Sequence, residues 1–302
     1  MTKALGDRLK RAKAGTALVV AAAFAGISLP AQASSKSSLV KAEDLYRRTE
    51  YRQSLDLLDL KSNEPAVNNL VGRDYFMMGD FKKAVEYFQH AVDADPNSSD
   101  KALWLGRAWG RRAETSNPFV APGYASKARQ WLEKAVQLDD KNSDAMSDLF
   151  DYYLDAPGFL GGGYDKAQAI ARKIADVDPA EGYFARAKLA EKRNEYETAE
   201  TQLRHAIEIA PHQVGHVLDL AKFLANQGRQ QESDALFAKA ETIAPETPGV
   251  WYARADTLIR QKRNLDEAKR LLWKYVQSSS ITPDDPSKND AQRLLRQVEG
   301  GA

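Results

Sequence analysis

Ala199-Glu-Thr-Gln-Leu203-Arg-His-Ala206-Ile-Glu-Ile-Ala-Pro211 returns 34 residues later as Ser233-Asp-Ala-Leu-Phe237-Ala-Lys-Ala240-Glu-Thr-Ile-Ala-Pro245. Each stretch has a small residue, a large apolar residue four later, a second small residue three after that and a proline five further on. At helical periodicity the first three share one face, so the pattern describes a helix packed closely along one stripe. Proline cannot continue that helix, and the residue before it is pushed out of the α region. Towards the N-terminus, Ala84, Phe88, Ala91 and Pro96 repeat the spacing, and Pro179 punctuates a further unit. A chain of 302 residues, 43% apolar and 28% charged, would otherwise read as one or two globular domains. The repeat predicts a single array of units that contact mainly their neighbours.

Each unit is expected to be two antiparallel helices, the first supplying a small residue where its partner crosses and, in several units, an aromatic three later. Gly72 with Tyr75, Gly106 with Trp109 and Ala187 with Ala190 hold those places. Second helices follow at Ala84/Phe88/Ala91, Ala128/Leu132/Ala135 and Ala199/Leu203/Ala206. Ala167/Ala171/Pro179 mark the unit after a glycine-rich loop, and Trp251/Ala255 with Ala268/Leu272 mark one near the end, with an extra residue near Asn264. The pattern resembles the tetratricopeptide repeat (TPR) family, whose 34-residue helix-turn-helix consensus has Trp, Leu-Gly, Tyr, Ala, Phe, Ala and Pro in this order. The resemblance covers residues 38–277 as about seven units. It implies an all-α, right-handed superhelical solenoid whose first helices line a concave groove. Terminal units should be atypical, since one face has no neighbour, and Ala291, Leu294, Leu295 and Val298 predict a C-terminal capping helix over residues 286–298.

Two adjacent units break the spacing. Between the aromatic of the first helix and the alanine of the second, Tyr75 to Ala84 is 9 residues but Trp109 to Ala128 is 19. The surplus falls on residues 114–124, whose Pro118, Pro122 and Gly123 make helix unexpected there. The next unit is enlarged over residues 156–164, through Pro157-Gly-Phe-Leu-Gly-Gly162, a stretch that also resembles a loop of exported bacterial TPR proteins. Both segments join the two helices of their units, so they should emerge from one edge of the solenoid. Phe119, Val120 and Tyr124 would then meet Phe159, Leu160 and Tyr164 as an apolar rim, either binding a partner or packing on one another.

The ninth position of successive first helices holds Arg73, Arg107, Lys188 and Lys222, and Asp256 in the last unit. This row is read in two ways: a groove that selects an acidic segment or a C-terminal carboxylate, or solvated charge on exposed helix faces. Reversing Arg107 and Lys188 is expected to leave stability nearly unchanged. Chemistry finds little support. His212 and His216 are four apart, but Gln213 stands where a metalloprotease needs glutamate, and Pro211 places His212 at a junction between units. Gly161-Gly162-Gly163 lacks the Lys and Ser or Thr of a phosphate loop. No nucleophile elbow or dinucleotide fingerprint is present. The expectation is therefore no enzyme, no cofactor and no bound metal. The absence of cysteine excludes disulfides, thiolate metal sites and a cysteine nucleophile.

Residues 1–33 read as a signal peptide. Lys3, Arg8, Lys10, Arg11 and Lys13 precede the apolar run Ala14 to Leu29, and Ala31-Gln32-Ala33 offers cleavage after Ala33. The apolar run is short of the roughly 20 residues of a membrane span. The segment carries five cations and Asp7, a net +4, so a chain of +1 becomes −3 without it, which disfavours nucleic acid. The expected protein is a periplasmic, non-catalytic scaffold that binds a protein or peptide of the cell envelope, with no membrane span after cleavage. A ligand-delivery component partnering a solute transporter and a self-associating assembly platform stand beside that reading.

Overall fold

The structure, a computed structural model, describes residues 29–300, with side chains from residue 37 onward. The expected signal segment lies outside the described residues up to residue 28. The compact unit begins at Ser38. Seven helix pairs follow one another: α1 (Leu29–Arg47) with α2 (Tyr51–Asp56), α3 (Pro65–Met77) with α4 (Phe81–Ala94), α5 (Ser99–Glu114) with α6 (Ala121–Leu138), α7 (Ser143–Asp155) with α8 (Tyr164–Val177), α9 (Pro179–Lys192) with α10 (Tyr196–Ile209), α11 (Val214–Asn226) with α12 (Gln230–Ile243) and α13 (Pro248–Arg260) with α14 (Leu265–Gln277). A last helix, α15 (Lys288–Glu299), packs on α13 and α14, and there is no strand among the described residues. This is an all-α helical repeat solenoid.

Small residues set how closely the helices approach. A Cβ added to Gly72 would stand 2.6 Å from Phe88, and one added to Gly106 would stand 3.0 Å from Leu132. In these two pairs the large side chain of the second helix therefore rests on the bare backbone of the first. Ala84, Phe88 and Ala91 are fully buried, as are Ala199, Ala206, Ser233 and Ala240, with Leu203 and Phe237 nearly so. The core is consequently a row of clusters along the seam between helices.

Five of the seven turns within pairs share one construction. Thr49, Gly79, Asn194, Gly228 and Lys262 are left-handed, with φ between 47° and 80° at this turn and at the additional Asn264. The amide after each of the first five reaches back to the carbonyl five residues earlier, as in Asp80 to Tyr75 at 2.9 Å and Arg263 to Leu258 at 3.1 Å. This Schellman arrangement satisfies carbonyls that the helix end leaves unpaired. The turns α5–α6 and α7–α8 depart from it, and they are the two enlarged in sequence.

The first enlargement differs from the expected loop over residues 114–124. Glu114 closes α5 and residues 121–124 are the first turn of α6, leaving residues 115–120 as the link. Pro122 starts a helix instead of breaking one because a first-turn amide has no intrahelical acceptor to lose. The capping helix begins two residues after the expected 286. Ser287 caps it by accepting the Asp290 amide, while Pro286 lies outside and accepts from the Tyr275 hydroxyl.

The ends of the array meet. Tyr51, Met77 and Met78 of the first two pairs and Ile281, Thr282 and Pro286 of the final segment wall one cavity of about 220 Å³. Beside it lies Asp74, fully buried on α3, whose Oδ2 accepts from Ser54 Oγ at 2.7 Å while Oδ1 has no partner. Burial pushes its carboxyl up to about 7 from an ordinary 3.8, with the Ser54 hydrogen bond opposing.

The turns and Asp74 each have a measurable consequence. Lys262 is exposed and left-handed at a cost of about 1 kcal/mol, so Lys262→Gly should gain about that much in chemical denaturation. For Asp74 the folded value lies above the unfolded one, so its stabilisation is full below about pH 4 and is lost as pH rises through about 7. Asp74→Asn should remove that loss. The melting-temperature difference between variant and parent should widen from pH 5 to pH 8, and a constant difference would contradict the assignment.

Candidate functional site

The expected cation row lies on successive first helices, but it does not stand free. Arg73 on α3 reaches Asp100 on α5 at 3.0 Å. Arg107 on α5 donates through Nε to Asp148 on α7 at 2.5 Å, with Asp144 at 3.7 Å. Lys188 on α9 pairs with Asp151 on α7, and Lys192 with Asp155 at 3.0 Å. Lys222, exposed on α11, pairs only with Asp219 of its own helix at 3.4 Å. The acidic partners were the part overlooked in sequence. Asp144, Asp148, Asp151 and Asp155 are spaced four, three and four apart, which puts them on one stripe of α7 between the cations of α5 and those of α9.

Burial differentiates these pairs. Arg107 and Asp148 are half-buried, and Trp104 lies between Arg73 and Arg107, whose guanidinium carbons sit 4.6 and 5.1 Å from its ring centre. Burial works against the charge on Arg107, yet its hydrogen bond to Asp148 and the neighbouring carboxylates hold its pKa above the ordinary value. Burial also pushes the Asp148 carboxyl up, with Arg107 opposing. Lys188–Asp151 and Lys192–Asp155 are more exposed, so solvent screening leaves them weak.

The six rim residues divide. Tyr124 packs on Trp109 with ring centres 5.3 Å apart, beneath the Arg112 guanidinium. Tyr164 lies 4.0 Å from the Arg193 guanidinium, and Leu160 is half-buried with its carbonyl accepting from Tyr152 at 3.0 Å. Phe119, Val120 and Phe159 point outward, at 96%, 41% and 81% exposure. Two phenyl rings so exposed do not cover each other, so packing of loop on loop does not explain them. The second loop folds as a single 3-10 turn over Gly158–Leu160. Its exit needs Gly162, where an added Cβ would collide with the Ala156 carbonyl.

Between the roots of these two loops lies a cavity of about 600 Å³, walled by α5, α6 and α7. Gly106, Gly110, Ala128 and Leu132 form its apolar floor, and Ala113, Ala125 and Ala156 line it where the loops begin. Arg107, Arg111, Asp148, Asp151 and Asp155 stand at its rim, Arg111 paired with Glu114.

Residues 65–98 and residues 180–213 each match a family model described as the tetratricopeptide repeat. The chain carries tetratricopeptide repeats. Its fold is similar to that of a thermophilic TPR protein from Thermus thermophilus, at 20% identity over 63% of this chain and 98% of the other, with a TM-score of 0.52. It is also similar to a tetratricopeptide repeat protein from Parabacteroides merdae, at 14% identity over 88% and 99%, with a TM-score of 0.55. Comparison with curated proteins gave no match. Tetratricopeptide repeats are scaffolds for protein partners and generally act without catalysis.

His212 precedes α11 and is exposed, whereas His216 is buried in it with Nε2 3.7 Å from Glu181, so helical spacing does not join the two. Among the described residues no helix is long and apolar enough to cross a membrane.

The ion pairs change what charge reversal should do. Arg107→Glu leaves half-buried Asp148 facing a second acid and should cost at least about 1–3 kcal/mol. Lys188→Glu, at an exposed pair, should cost no more than about 1 kcal/mol. Parallel urea titrations check the contrast, and equal effects would remove the distinction between buried and exposed pairs.

Proposed function

We propose that this protein is a non-catalytic adaptor of the bacterial cell envelope that captures a protein or peptide along its groove and at the loop rim. Residues 1–33 would direct export and be cleaved after Ala33, leaving the protein in the periplasm. The Pro157-Gly-Phe-Leu-Gly-Gly162 stretch fits an exported TPR protein. The observation that carries the reading is the exposure of Phe119 and Phe159 on two adjacent loops rooted at the edge of the 600 Å³ cavity. Apolar rings held in water beside a concave surface are the kind of anchor on which binding energy concentrates. Their neighbours Tyr124 and Tyr164 are tied down by Arg112 and Arg193, so the loops present the rings with little entropy left to lose.

A second reading, delivery of a small ligand to a solute transporter, draws on the cavity alone, whose volume falls in the range of roughly 300–1,000 Å³ typical of small-molecule sites. Native mass spectrometry of the purified protein distinguishes it, since a retained small molecule would favour delivery.

A photoreactive residue at position 159, introduced into the exported protein in cells, tests the adaptor. Crosslinks to a discrete envelope protein are expected, and they should fall severalfold when Phe119→Ser is added, with the melting temperature unchanged. Crosslinks confined to the protein's own chain would overturn the reading.

A further inference from the structure

Gly110 occupies the interior of α5, where glycine destabilises a helix relative to alanine. At Gly72, Gly106 and Gly182 close packing explains the glycine, while Gly123 and Gly215 sit in the first turns of their helices with nothing within 4 Å. An added Cβ would lie 2.6 Å from Phe88 at Gly72, 3.0 Å from Leu132 at Gly106 and 2.4 Å from Ala175 at Gly182. At Gly110 the nearest atom to such a Cβ is the Ala128 Cβ at 3.9 Å, an ordinary contact, and its φ is not left-handed. Neither packing nor backbone conformation demands the glycine. What the missing side chain leaves is the floor of the 600 Å³ cavity.

The charges above that floor are uneven. Glu114, Asp148, Asp151 and Asp155 line the cavity against Arg107 and Arg111. Arg107 is held by half-buried Asp148, whereas Arg111 pairs with Glu114 at the exposed edge. Asp151 and Asp155 take their partners from α9, whose Lys188 and Lys192 are not part of the cavity wall. The carboxylates of those two pairs are solvent-exposed, which screens the pairs and lets an incoming cation exchange with a lysine. Within the wall an incoming carboxylate would meet four acids and two cations, of which only Arg111 is loosely paired, while Lys188 and Lys192 lie outside the wall. An acidic segment chosen by a free row of cations would have to displace the carboxylates already paired with that row.

We propose that the cavity between α5 and α7 is an anchor pocket for a bulky apolar side chain of the partner, adjacent in the partner's sequence to an arginine or lysine that binds Asp151 and Asp155. The apolar group lies over Gly110 and Ala128, and the neighbouring cation lies at the α7 side of the rim. This rests on the adaptor reading and specifies the segment that the groove takes.

Selection of a displayed random-peptide library on the purified full-length protein tests it. Enriched sequences should pair an aromatic or large aliphatic residue with Arg or Lys. Acid-rich sequences, or no enrichment, would overturn the proposal. An enriched peptide should lose at least about tenfold in affinity against Gly110→Leu, which fills the pocket, and against the double variant Asp151→Lys/Asp155→Lys. The melting temperature of each pocket variant reports whether it folds, and Gly110→Ala serves as the control for the helix itself, expected to be at least as stable as the parent. Unchanged affinity in either pocket variant would overturn the assignment. The position-159 crosslink repeated with Gly110→Leu separates the two readings: capture that persists undiminished sinks the pocket and spares the adaptor, whereas absence of capture in the parent sinks the adaptor itself.

Discussion

The solenoid depends on the close approach of two helices within each unit, where the large side chain of the second rests on a position of the first that has little or no side chain. Phe88 against Gly72 and Leu132 against Gly106 are the clearest cases, with no room for one further carbon at the first. The contact is local in sequence, so each pair forms much of its own interface and offers the remaining apolar faces to the next pair. The repeated left-handed turn is the complement of that contact. It reverses the chain in a fixed number of residues, so the second helix arrives with its apolar stripe already facing the first.

Where the fixed turn is abandoned, the protein has gained a cavity and two exposed rings. The α5–α6 and α7–α8 connections are longer than those of the other pairs, and both open at the same cavity. Longer helices α5 and α6 absorb much of the first enlargement, which keeps the stacking intact while displacing the link outward. The departure from the repeat is thus confined to one edge of the array, and the seam of small and large residues continues beneath it.

Charge on the first helices ties neighbouring units together. Each pair of neighbouring first helices from α3 to α9 is bridged by at least one cation and one carboxylate. The half-buried Arg107–Asp148 pair fixes the spacing of α5 and α7 at the cavity, because neither partner can leave without exposing the other's charge to a dry neighbourhood. The lysine pairs nearer to water lack that constraint and are free to exchange.

By itself the sequence determined the fold class, the number of helix pairs and most of the core. Those properties follow from spacings shorter than one unit, in which Ala199, Leu203 and Ala206 must share a helix face wherever the helix goes. It also located the two enlarged units, since a repeat makes an insertion visible as a change of interval. What the tertiary structure decided is whatever depends on the next helix. Arg107 and Lys188 look alike along the chain, and only the stripe of aspartates on α7 makes one a half-buried strut and the other a loose surface pair. Phe119 and Tyr124 are likewise two aromatics of one segment, yet Trp109 gives only the tyrosine a surface to lie on. Side-chain pairing between units is set by how successive helices stack, and that registry is a property of the assembled array that the residues of any one unit do not carry.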